Sequence, residues 1–140
     1  ELKSRCEIRL ENYCNTVNIE ALTMLEMAKR EYLPAIHKSA REAARTVKLY
    51  AETGVDTKEE KEVLDSIAGF GKQLSYAISD LEKVMDNIEK TDDHFILSRY
   101  FADKVIPAMD NVRKIVDEAE MIVYSGIWPV PSYGELLFSV

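Results

Sequence analysis

The chain has 140 residues, 46% hydrophobic and 31% charged, with 18 basic against 25 acidic side chains for a net charge of −7. That length holds one core rather than two, and the balance suits amphipathic helices better than a disordered chain. An acidic chain repels phosphate backbones and anionic headgroups, and no apolar run approaches the roughly 20 residues that span a bilayer, so neither nucleic acid nor membrane is expected as a partner.

The N-terminal run ELKSRCEIRLENY is charged and already helix-patterned, which does not fit a signal peptide. Without a starting Met it reads as a cut made inside a longer protein. Only 5 Gly and 4 Pro punctuate the sequence, so long helices are expected between a few turns. The first runs from Leu2 to Ala51 or the residue after, with apolar positions Cys6, Leu10, Tyr13, Val17, Met24, Ala28, Tyr32, Ala35, Ala43, Val47 and Tyr50 spaced mostly by three, four or seven. It ends at Thr53-Gly54, where glycine can take the left-handed conformation that closes a helix.

Thr57-Lys58-Glu59-Glu60 reads as a capping box, with Thr57 at the cap and Glu60 reaching back. The second helix follows, its seam Val63, Ile67, Phe70, Leu74, Ile78, Leu81, Met85 and Ile88. Gly69 and Gly71 flank Phe70 and predict a close helix crossing; a phosphate loop would need a preceding strand and a longer glycine pattern. A third helix starts at Thr91-Asp92-Asp93, with Asp92 at the cap, and stops near Ser125-Gly126. Its seam is Ser98, Ala102, Val105, Met109, Val112, Val116, Ala119 and Val123. Pro34 and Pro107 each sit in an apolar-Pro-Ala context, where a lost donor bends a helix; the apolar period survives on both sides, so both helices are expected to continue.

The predicted fold is all-α: an antiparallel three-helix bundle over 1–126, with helices near 2–52, 58–90 and 92–125, and an extended apolar tail over 127–140 packing on the bundle or a partner. Pro129 and Pro131 interrupt any helix there, and Trp128, Val130, Tyr133, Leu136, Leu137 and Phe138 are too apolar for a free tail. A first helix of about 50 residues is some 75 Å long against about 50 Å for its partners, so its start overhangs the bundle. Cys6, Leu10, Tyr13 and Val17 place an apolar stripe on that overhang. These four, with Trp128, Tyr133, Leu136, Leu137 and Phe138, are the candidate interface, closed within the chain or between two self-associating copies.

Catalytic chemistry finds no footing. A di-iron site needs Glu-x-x-His pairs, but Pro34 precedes His37 by three residues and Thr91 precedes His94. Cys6 and Cys14, about 12 Å apart on one helix, cannot pair with each other and match no zinc spacing with two distant histidines. No nucleophile motif appears, and the acidic runs around Glu59-Glu60-Glu62 and Asp117-Glu118-Glu120 read as solvated helix faces. No catalytic, cofactor-binding or metal residue is therefore assigned.

Two stretches carry a resemblance. Ser4 to Ala35, SRCEIRLENYCNTVNIEALTMLEMAKREYLPA, resembles the start of the C-terminal helical region of type III glutamine synthetases. Trp128 to Val140, WPVPSYGELLFSV, resembles the tail that closes those chains with Trp-Pro-x-Pro-x-Tyr-Gly-acid-Leu-Leu-Phe. The middle, roughly 58–104, matches only as helix of plausible length. The resemblance implies a piece of a cytoplasmic bacterial enzyme that joins ammonia to glutamate with ATP and Mg²⁺ in stacked hexameric rings. Its ligands for metal, nucleotide and glutamate lie in a catalytic domain upstream, so no catalytic residue is carried onto this chain. The domain is expected to serve structure, oligomer contacts or tail anchoring against its own catalytic domain and neighbouring subunits. The alternative is a stand-alone helical adaptor that binds a partner helix.

Overall fold

Two wide turns, each just before a proline, give the long helices their shape. The computed structural model describes residues 1–131 and 133–138. Helix α1, Leu2–Met27, passes through one π-helical turn, Ala28–Tyr32, into α2, Leu33–Glu52. Helix α4, His94–Tyr100, passes the same way through Phe101–Val105 into α5, Ile106–Glu120. Pro34 and Pro107 have no N–H to donate and their rings crowd the carbonyl four residues back. The residue before each proline instead donates five residues back, Leu33 to Ala28 and Ile106 to Phe101. The helices therefore continue through both prolines, as the unbroken apolar period predicts.

Helix α3, Lys58–Asp86, lies between these two rods in sequence. Gly54 enters it through a left-handed turn at φ 78°, with Gly54 N–H on the Ala51 carbonyl and Val55 N–H on that of Tyr50. That is a Schellman close, and only glycine takes its geometry without strain. The capping box does not form: Thr57 makes no side-chain cap bond and is buried, while Asp56 accepts from Lys58 N–H at 3.2 Å. An Asp two residues before the amide makes this local bond, leaving the threonine free to turn inward. At α4 the cap moves one residue from expectation. Asp93, not Asp92, accepts from Phe95 and Ile96 N–H, and the Thr91 hydroxyl accepts from Asp93 N–H.

The three rods run up, down and up. Lys3 to Leu10 lie beside Asp92 to Phe95, and Ile19 to Tyr32 beside Met109 to Asp117, so the first and third rods are parallel. Helix α3 runs antiparallel to α2, with Gly71 against Ile36 and His37, and Lys29 pairs with Glu82 near its other end. The rods are staggered. All three coincide only along the middle, where Ala21, Leu25, Ala28, Ile36, Leu74, Ala77, Ile78, Leu81, Val105, Met109, Val112 and Ala119 form the core. Beyond Ser39 in α2 and before Ile67 in α3 no helix residue is buried, and there the two helices make a hairpin without a third layer. At the opposite end α4 covers the start of α1.

At several places the packing departs from the sequence pattern. Phe101 is buried and Ala102 exposed, because the wide turn rotates the residues within it. Cys14 rather than its neighbour Tyr13 faces inward, on the line Cys14–Val17–Ala21–Leu25–Ala28 that meets the third rod. Of the paired glycines only Gly71 marks a close approach; a Cβ at Gly69 would meet nothing within 4 Å. Among the described residues there is no strand, and no helix is long and apolar enough to cross a membrane. After α5 the chain turns through Tyr124–Ile127 rather than helix, passes its two prolines and ends in a short helix α6, Tyr133–Phe138. The tail is thus extended only around the prolines. Pro131 cannot continue a preceding helix but permits one to begin after it, and Glu135 stabilises the positive end of its first turn.

Candidate interaction groove

Two helices that run side by side leave a furrow along their line of contact. Between α1 and α5 this furrow is a groove of about 540 Å³. Its floor and walls are Met24, Met27, Ala28, Met109, Val112 and Val116, with Ile19 and Thr23 at one edge and Tyr32 at one end. Glu20, Arg113 and Asp117 stand on its rim. Three methionines give the lining a soft, adaptable surface suited to an apolar helix. Ile19 is 64% exposed, so the groove is accessible from its edge.

The tail meets the groove at its end. The rings of Trp128 and Tyr32 lie 5.3 Å apart, tilted by 40°, within the range of favourable aromatic pairs. Burial, and then the charges of Glu31, Glu120 and Asp117, push the Tyr32 phenol pKa up, so this residue stays a neutral hydroxyl at the groove's end. Trp128 and Val130 then line a small cavity of about 100 Å³ with Glu120, Ser125 and Glu135, which keeps α6 near the end of α5.

The predicted interface residues separate into two places. Val17 is buried, Leu10 half-buried, Tyr13 partly exposed and Cys6 exposed, all along the start of α1 opposite α4. Trp128 packs at Tyr32, 26 residues of helix from Cys6, or about 39 Å. Leu136, Leu137 and Phe138 are exposed on α6, and Phe138 is 82% exposed; Tyr133 opens α6, and its side chain lies outside the described residues. The tail and the Cys6–Val17 stripe are therefore not brought together within one chain.

A second cleft, lined by Lys3, Cys6, Glu7, Leu10, Asp92, Asp93, His94 and Phe95, separates the starts of α1 and α4. His94 Nδ1 is shielded there without a hydrogen-bond partner. Among the described residues no three His, Cys, Asp or Glu side chains converge as metal ligands. Burial pushes the Cys14 thiol pKa up, which disfavours the reactive thiolate, so Cys14 behaves as a small apolar core residue.

Sequence reasoning missed the groove. Its lining residues were legible one helix at a time, Met24 and Ala28 on the first seam and Met109, Val112 and Val116 on the third. Which seams sit side by side, and in which direction, is a property of the bundle's stagger.

Comparison with known proteins gives the chain a context. Residues 1–51 match the family model described as the glutamine synthetase C-terminal domain. Across all of its length the chain is 32% identical to a glutamine synthetase of Butyrivibrio fibrisolvens. It is 28% identical over 99% of its length to a type-3 glutamine synthetase of Dictyostelium discoideum, and 23% identical over 99% to a glutamine synthetase of Bacteroides fragilis. In each case it spans about 20% of the relative.

Proposed function

This chain belongs to the glutamine synthetase family as its C-terminal helical domain, and from that premise we propose that it is a non-catalytic, contact-making part of a glutamate–ammonia ligase. In this reading the ligase reaction, with ATP and Mg²⁺, takes place in a preceding catalytic domain of a cytoplasmic enzyme. The helical domain extends that subunit and offers surfaces to it and to neighbouring subunits.

The observation that carries the reading is the pairing of an open apolar groove with an exposed apolar tail on a small helical domain. Exposed apolar surface rimmed by charge marks contact sites more often than it marks solvent faces. No observation favours the rival reading, a free-standing adaptor.

The test uses a full-length relative, such as the Butyrivibrio enzyme, with the region aligned to this chain deleted. The expected result is altered assembly, read as mass by light scattering, with glutamine formation per intact active site retained. Unchanged assembly would overturn the contact role; saturable ATP binding to the 140-residue chain alone, read by calorimetry, would overturn its non-catalytic character.

A further inference from the structure

The outward face of α2 carries a charge that the rest of the chain does not share. Lys38, Arg41, Arg45 and Lys48 follow one another at helical spacing and form one strip about 15 Å long. Arg45 lies two and a half turns beyond Ile36, which is buried against Gly71, so the strip stands on the side away from α3. Between Lys38 and Lys48 the one acid is Glu42, a local +3 in a chain of −7 whose remainder therefore carries −10. We infer that this strip receives an acidic polypeptide segment of another protein, with carboxylates on Arg41, Arg45 and Lys48 and an apolar side chain on Leu49. The inference goes beyond the contact-making role proposed above, and its failure would leave that role to be judged by the full-length deletion.

The strip is short of carboxylates of its own. On other faces exposed cations pair one to one within a turn, Arg5 with Glu1, Arg30 with Glu26, Lys83 with Asp80 and Lys114 with Glu118. Here Arg41 and Arg45 share Glu42, at 3.9 and 3.7 Å, with their side chains 68% and 66% exposed. Contacts that long and that wet hold little energy, so both guanidiniums can turn to a better acceptor. Among the described residues Lys38 and Lys48 form no ion pair. The strip is also accessible, because part of it stands on the two-helix arm that the third rod does not reach.

Its chemistry selects a polypeptide over other anions. Arg41, Arg45, Lys48 and Glu52 stand around Ala44 and Leu49 in a shallow groove of about 500 Å³, and Leu49 is 53% exposed. Each arginine fork matches a carboxylate through two parallel N–H donors. Phosphate would match the forks too, but this groove has no aromatic side chain for a base to stack on, and its apolar floor would meet nothing in a phosphate backbone. A duplex or an anionic bilayer would also extend past the strip and meet the repulsion of the acidic remainder. A second copy complements the strip poorly, because its acidic runs are interleaved with cations, Lys61 within Glu59 to Glu62 and Arg113 and Lys114 within Asp110 to Glu118.

The experiment follows the fluorescence anisotropy of a labelled peptide of repeated Glu-Glu-Leu-Ala. It is titrated with the 140-residue chain and with the full-length enzyme that carries it. The expected result is saturable binding to both that weakens as salt rises to physiological strength, and none for the peptide with Gln in place of Glu. The double change Arg41→Glu with Arg45→Glu should weaken binding about tenfold or more, with helical circular dichroism unchanged. Lys83→Glu with Lys114→Glu alters the net charge equally on other faces and should bind as the wild type does. Arg41→Lys with Arg45→Lys, which keeps the charge and loses the forks, should fall between. No saturable binding at low salt, or an equal loss in both charge-reversed variants, would overturn the proposal. So would tighter binding of phosphatidylserine vesicles or single-stranded RNA than of the peptide. Binding by the 140-residue chain but not by the full-length enzyme would overturn it as well, because the rest of the enzyme would then cover the strip.

Discussion

The middle of the molecule and its hairpin end are built from the same seam pattern, yet they bury it to very different degrees. In the middle, Leu74 and Leu81 on α3 meet both rods and are fully buried, as is Val105. At the hairpin end Val63, on the same seam eleven residues earlier, is 51% exposed, and Tyr50, near the end of α2, is 42% exposed. Period, residue type and helix are shared; the difference is a third layer. A seam tells which face of a helix turns inward, whereas burial depends on whether another rod extends that far.

The sharpest way to break this comparison is to truncate one side chain in each region. Leu74→Ala removes a fully buried side chain from the three-layer core and is expected to cost about 2–5 kcal/mol. Val63→Ala, half in water already, should cost less than about 1 kcal/mol. Urea unfolding with unchanged m-values would measure both. Equal shifts in midpoint would show that the hairpin end is covered in solution.

Much of this architecture is legible in the sequence. The Schellman glycine, the alternating seams of α3 and α5, and helix continuity through both prolines follow from local chemistry that needs no partner. What was not legible depends on neighbours. The burial of Cys14 in place of Tyr13, the rotation that buries Phe101, and the groove itself arise where rods of unequal length slide past one another. The cap at Thr57 does not form because its side chain is buried, and the side-chain bond at this end of the helix is instead made by Asp56 to Lys58 N–H. The tail was legible as apolar, but its docking at Tyr32 rather than beside Cys6 follows from where α5 ends.

The turn that joins the hairpin gives the next largest effect. Gly54 sits at φ 78°, and Gly54→Ala would force a Cβ into the left-handed region at a cost of about 1–2 kcal/mol. Nothing stands within 4 Å of that Cβ, so the penalty is purely conformational. Gly54→Asn, which tolerates the conformation better, should recover part of the lost melting temperature. If alanine proved neutral here, the hairpin turn would be adopting another form in solution.

At the other end of α3 the chain relies on a side-chain cap. Asp93 accepts from Phe95 N–H at 3.0 Å and opens the rod that covers the start of α1. Asp93→Ala should cost about 1 kcal/mol, and Asp93→Asn or Asp93→Ser less than half of that. Asp92→Ala, one residue earlier with no cap bond, serves as the control. A larger loss from Asp92 than from Asp93 would return the cap to the position expected from sequence.

The smallest effect has the opposite sign and separates two glycines on one helix. Gly69 and Gly71 both carry the entropic cost of glycine in a helix interior, about 0.5–1 kcal/mol relative to alanine. At Gly69 an added Cβ meets no heavy atom within 4 Å, so Gly69→Ala should stabilise by about that amount. At Gly71 the same Cβ would stand 3.4 Å from His37 Cε1 and 3.5 Å from Ile36 Cγ2, at the edge of ordinary contact. Alanine fits there, but nothing larger does, because Ile36 is fully buried and cannot retreat. Gly69→Leu should therefore keep most of the gain, whereas Gly71→Leu should overpack the crossing and lose about 1–3 kcal/mol. The position that tolerates leucine lies toward the two-layer hairpin, and the position that refuses it marks where α2 and α3 close into the core. Thermal melts of the four variants test this directly, and equal responses to leucine at both positions would mean the crossing is looser than its geometry indicates.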